Sequence, residues 1–205
     1  MIYRVMVLLL TVATLTSCSM LSPVKVIPTN KFVLYPMSSE ISEHAKRKGV
    51  IVVAVPEMQP AFNTTQIAYT KTPFQIEYFA QNEWAENPPQ MIQSLLVAGL
   101  EKSSRFQAVV TPPFSAHYDY LLETQVERFI QRLSPGIPAF EVVMRLRLIN
   151  ANTNRVILTR LLCATIAHRY TTPYSSVIAA NLAMDDIVTK VINLTSYDKK
   201  RRSSR

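Results

Sequence analysis

Glycine is scarce in this chain: Gly49, Gly99 and Gly136 are the only three among 205 residues. A loop that cradles phosphate needs several glycines close together, so that backbone N–H groups can approach the ligand, and this spacing excludes one. There is no G-x-S-x-G turn to expose a nucleophilic serine. The three histidines, His44, His117 and His168, stand apart from one another and from the cysteines at spacings that build no metal site. With two cysteines, Cys18 and Cys163, one disulfide is the most the chain could form. His117 and Asp119 share a strand face, but Glu123 and Glu127 lie on the same face, so a solvated polar edge is the simpler reading than an acid–base pair. These absences point to a protein that is not an enzyme and uses no cofactor.

What the chain does have begins at its N-terminus. Met1 to Arg4 carry one positive charge, and an uncharged apolar stretch from Val5 to about Leu15 follows. That stretch is much shorter than the ~20 residues a membrane-crossing helix requires, and its flanks are those of a leader. It ends in Leu15-Thr16-Ser17-Cys18, which resembles the lipobox of bacterial lipoprotein signal peptides. The resemblance implies cleavage after residue 17 and acylation of Cys18, including palmitate. Several acyl chains anchor stably where a single chain binds reversibly, because each buried CH₂ contributes roughly 0.8 kcal/mol. Ser19 follows the cysteine, where aspartate would signal retention in the inner membrane, so the expected location is the periplasmic leaflet of the outer membrane. Once Cys18 is acylated no intrachain disulfide remains possible, and Cys163, inside an apolar run, reads as a buried small hydrophobe.

The net charge of +8 suggests nucleic acid at first sight, but it is unevenly placed. Arg4 leaves with the leader, and Lys199, Lys200, Arg201, Arg202 and Arg205 form a basic tail; without these six, residues 18–198 carry +2. The body lacks the interleaved basic and aromatic residues of a nucleic-acid surface. The tail is instead expected to be drawn to anionic surfaces.

The expected organisation is a signal peptide over 1–17, lipidated cysteine and tether over 18–30, one α+β domain over 31–197, and a basic disordered tail over 198–205. "KFVLYP" and "GVIVVAVP" read as strands stopped by proline, and "TQIAYT" with "FQIEYFAQ" reads as a hairpin with Phe74, Ile76 and Tyr78 on one face. The period then changes. Met91, Ile92, Leu95, Leu96, Gly99 and Leu100 mark an amphipathic helix, with Asn87 placed to cap and Pro88 at the first helical position. "FQAVV" reads as a short strand, and three longer strands follow as an antiparallel meander with Leu122, Val126, Arg128 and Ile130 on one face of the first. The second turns inward Phe140, Val142, Met144, Leu146 and Leu148. It joins the third through the Asn150–Asn154 turn. A second helix, opened by Thr172 and Pro173, carries Val177, Ala180, Met184, Ile187, Val188 and Val191 in one stripe. Two helices on one face of a mainly antiparallel, mixed sheet give a two-layer α+β domain.

The stretch "FQIEYFAQNEWAENPPQMIQSLLVAGLEKSSRF" is the most individual. A strand ending in Trp-Ala-Glu, then prolines, then a helix with spaced leucines resembles the ABC-type transport auxiliary lipoproteins, the PqiC-like outer-membrane partners of MCE lipid-transport systems. "KFVLYP", "VIVVAVP" with "QIAY", and "YDYLLETQVERF" are similar to further strands of that family. The resemblance implies a non-catalytic outer-membrane lipoprotein. Its implied partners are a periplasmic MCE-domain protein, with the inner-membrane permease and ATPase of the same system, and membrane lipid through the anchor. Some members form homo-oligomeric rings. A periplasmic lipoprotein that assembles or plugs a different envelope complex is the alternative. Trp84, with Pro88 and Pro89, is read either as a partner interface or as cover for the sheet edge.

Overall fold

The computed structural model describes Tyr3 and residues 28–36, 48–133 and 136–196. The rest of the leader, Cys18, His44 and the basic tail lie outside the described residues. Among the described residues, nine strands and two helices follow one another as β1 (Asn30–Phe32), β2 (Lys48–Val53), β3 (Glu57–Met58), β4 (Gln66–Thr70), β5 (Glu77–Trp84), α1 (Pro88–Lys102), β6 (Phe106–Val110), β7 (Tyr120–Arg132), β8 (Ala139–Asn150), β9 (Arg155–Ala167) and α2 (Pro173–Ser196).

All nine strands belong to one mixed sheet, and the fold is the expected α+β type. β7, β8 and β9 form the antiparallel meander, paired along almost their full length. The other edge of β7 is shared in succession by β2, β3 and β4, each running parallel to it. β6 lies parallel to β2, β5 antiparallel to β4, and β1 parallel to β5. Antiparallel pairing therefore covers most of the ladder length, while most of the separate strand pairs are parallel.

The inner face carries the core. Phe140, Val142, Met144, Leu146 and Leu148 alternate inward from β8 and are buried, and Leu162 and Ala164 continue the layer on β9. Both helices cover this face. Val177, Ala180, Met184, Ile187 and Val191 of α2 and Met91, Ile92, Leu95, Leu96 and Leu100 of α1 are buried in the same cluster. The helices approach closely at Gly99, where a Cβ would stand 2.3 Å from Val188 Cγ1. Glycine is required there by space rather than by φ.

β7 departs from simple alternation. Leu122, Thr124 and Val126 face inward, and then the pairing with β8 shifts between Val126 and Arg128. One extra residue, Glu127, forms a bulge, and a one-residue slip exchanges the two faces. Beyond it Phe129 and Gln131 point inward opposite Val142 and Phe140, while Arg128 and Ile130 turn to the outer face. The expected inward positions of Arg128 and Ile130 are thereby corrected.

Two local details also differ from expectation. Asn87 stands at the N-cap of α1, but its side chain makes no capping bond. Pro88 and Pro89 occupy the first two helical positions and lack N–H groups, and the Gln90 N–H is taken by the Asn87 carbonyl at 3.1 Å. At α2 the cap forms as expected: Thr172 Oγ1 accepts the Ser175 N–H at 3.2 Å ahead of Pro173.

Candidate functional site

Cys163 is exposed, not buried. It sits opposite Val143 on the outer face because its neighbours Leu162 and Ala164 take the inward phase of β9. The apolar run that contains it belongs to a strand whose polar residues lie elsewhere, so composition hid the alternation.

Trp84 ends β5 with 1% of its surface exposed, its ring 5.5 Å from that of Phe129. Its backbone N–H donates to the Thr65 carbonyl, and Ala85 N–H to the Phe32 carbonyl. Pro88 and Pro89 are buried as well. The interface reading of these three residues is corrected: their side chains are spent on the core where β5 hands the chain to α1, and they offer no surface to a partner.

One candidate surface lies on the outer face. An open groove of about 750 Å³ lies between the β4–β5 connection and the outer sides of β7, β8 and β9. Phe62, Ile130, Val143 and Leu161 supply apolar wall, and Phe74 and Ile76 stand at the rim. Phe74 is fully exposed, with φ at +67°, in a turn rather than on the expected strand face, because β5 begins only at Glu77. A bulky aromatic in the left-handed region is strained, and such strain persists where the surroundings over-determine it. The connection is clamped at its base: Tyr69 Oη donates to Glu77 Oε2 at 2.6 Å, and Lys71 Nζ lies 3.5 Å from the same carboxylate and 5.0 Å from the Tyr69 ring centroid. The Tyr69 hydroxyl holds the Glu77 carboxyl below its ordinary pKa, helped by Lys71, and the same bond raises the tyrosine.

Under the groove, Glu141 receives Arg128 Nη1 at 3.0 Å and Arg132 Nε at 2.8 Å. Burial pushes its carboxyl pKa up, and the two guanidinium groups together outweigh burial and hold it below the ordinary value. Further along the face, Glu127 pairs with Arg145 at 2.6 Å and Glu123 with Arg147 at 2.9 Å. The charges of this wet face are thus paired across β7 and β8, Glu123 with Arg147 as direct register partners and the others on the diagonal. A lowered folded pKa adds stability that is complete above the unfolded value of about 4.3 and disappears as pH falls through the folded value. Glu141→Gln should therefore cost about 1–2 kcal/mol at neutral pH, discounted for the exposure of Arg128. Urea titrations should show that cost declining as pH falls below about 4.3; a cost unchanged from pH 7 down to about pH 2 would contradict the pairing.

The histidines of the described residues are placed apart from one another. His117 Nε2 is 4.0 Å from Asp119 Oδ1, and the imidazole is exposed. Asp119 is occupied structurally: Oδ2 accepts the Val50 N–H at 2.9 Å and Oδ1 the Asn152 amide at 3.3 Å. Gly49 makes room for that carboxylate, since a Cβ there would stand 1.8 Å from Oδ2. His168 Nδ1 lies 2.7 Å from the Tyr170 carbonyl oxygen. No group of three His, Cys, Asp or Glu among the described residues could hold a metal ion. No helix of the described residues is long and apolar enough to cross a membrane.

Residues 32–191 match the model of the family described as the ABC-type transport auxiliary lipoprotein component. Among solved structures, the fold is similar to protein XCC0632 from Xanthomonas campestris, assigned to the family model DUF330. That likeness has a TM-score of 0.71 at 19% identity, over 87% of this chain and 98% of the other. A crystal structure of an uncharacterised protein is similar at a TM-score of 0.67 and 14% identity, over 82% and 99% of the two chains. No curated protein matches the chain. With the family match running from the end of β1 into α2, this chain belongs to the ABC-type transport auxiliary lipoprotein component family.

Proposed function

We propose that the protein is a non-catalytic outer-membrane lipoprotein, anchored through Cys18, that docks a periplasmic MCE-domain protein of an ABC-type lipid-transport system. The permease and ATPase of that system act at the inner membrane. The family match over residues 32–191 carries the reading. The outer face supports it: a clamped rim with an exposed aromatic, set over mutually neutralised charges, suits a protein partner better than a charged small molecule. The groove around Phe74, and not the Trp84 corner, is the docking surface in this reading.

A photo-crosslinking residue placed at position 74 of the full-length protein should capture an MCE-domain protein in cells. The same group at Glu101, an exposed position near the end of α1, should not. Equal capture from both positions, or capture only of components of another envelope complex, would contradict the reading.

A further inference from the structure

A second exposed apolar surface lies far from the groove in chain order, where the domain begins. Val33 and Tyr35 follow β1 with their side chains outward, Tyr35 being 72% exposed, while Leu34 between them is buried. Asn181 of α2 fixes this segment: its Oδ1 accepts the Tyr35 N–H at 2.6 Å and its Nδ2 donates to the Val33 carbonyl at 3.3 Å. On α2 itself Tyr174, Ile178 and Leu182 recur every four residues and are exposed, Tyr174 at 64%. The Tyr174 ring also stands 6.3 Å from that of Phe32. Helix and segment thus present one continuous patch.

Its charge is as informative as its apolarity. No charged residue occurs from Pro173 to Met184, and the first are Asp185 and Asp186. Lys31, on the adjoining strand, is paired with Glu83 at 3.2 Å. Tyrosines set in an uncharged apolar surface suit the boundary between headgroups and acyl chains, where the ring is buried and the hydroxyl stays wet.

The chain itself says what covers the patch. Ten Cα-to-Cα steps lead from Cys18 to Pro28, which limits the first described residue of the domain to about 35 Å from an acylated Cys18; Val33 is five residues further on. We propose that Val33, Tyr35, Tyr174, Ile178 and Leu182 rest on the phospholipid bilayer into which Cys18 is anchored, so that the domain is oriented on the membrane rather than free on its tether. This rests on the lipoprotein reading of Cys18.

The test uses full-length Tyr174→Trp, reconstituted in phosphatidylethanolamine–phosphatidylglycerol vesicles, with mass spectrometry of residue 18 made on the same sample. The native Trp84 is buried and gives a constant background. Brominated acyl chains should quench the new tryptophan at least about twofold, as expected for an indole at the interface, and should leave Glu101→Trp unquenched. Adding Ile178→Ser to Tyr174→Trp should reduce the quenching. Acylated protein without quenching would overturn the patch alone, as would burial of the new tryptophan in a concentration-dependent contact between copies. Absence of acyl groups on residue 18 would overturn the anchor and the patch together.

Discussion

Trp84→Ala should cost about 3–5 kcal/mol, a large share of the stability of a single domain. The indole is 1% exposed and fills the space between the end of β5, Phe129 of β7 and the start of α1. Phe129 packs in turn edge-to-face on Phe140, at 4.9 Å between ring centroids, so a cavity at position 84 loosens a chain of three aromatics. The two prolines that open α1 fix the backbone immediately after this corner, which limits collapse into the void. Urea unfolding followed by circular dichroism should show the midpoint falling sharply with little change in slope. A folded variant of unchanged midpoint that had lost its partner would restore the interface role and contradict the burial argument.

The second large effect belongs to Cys18. Cys18→Ala removes the thiol expected to carry the acyl chains, and incorporation of labelled palmitate should fall to background while unprocessed precursor accumulates. No helix of the described residues is long and apolar enough to cross a membrane, and in this reading the acyl chains are the anchor. Unchanged labelling in the variant would end the lipoprotein reading of this cysteine. Recovery of the wild-type protein in inner-membrane fractions would contradict the sorting expected from Ser19.

Much of the secondary structure was legible because its signals are local. The three- and four-residue spacing of the α2 stripe, the leucine spacing of α1 and the alternation of β8 each follow from which residues must face one core. The errors have physical causes. At Glu127 a bulge reverses the faces of β7, and no feature of "TQVERF" marks it, since both phases of that stretch contain apolar residues. Cys163 was misplaced because "LLCATIA" is apolar in both phases as well. The parallel docking of β2, β3 and β4 on one edge of β7 is non-local, and strand propensity does not carry it. For Trp84 the sequence is compatible with both roles, and only its burial separates them. The groove escaped the sequence entirely: Phe74, Ile130, Glu141 and Leu161 come from four distant segments, and their common feature, lying on one outer face, exists only after the bulge has turned Ile130 outward.

The most direct measurement is isolation of the tagged, full-length protein from gently solubilised cell membranes, with its companions identified by mass spectrometry. The account predicts an MCE-domain protein together with the permease and ATPase of its transport system, recovered in constant proportion and lost from Cys18→Ala cells. Recovery of the lipidated protein with a different envelope complex, and with none of these companions, would contradict it.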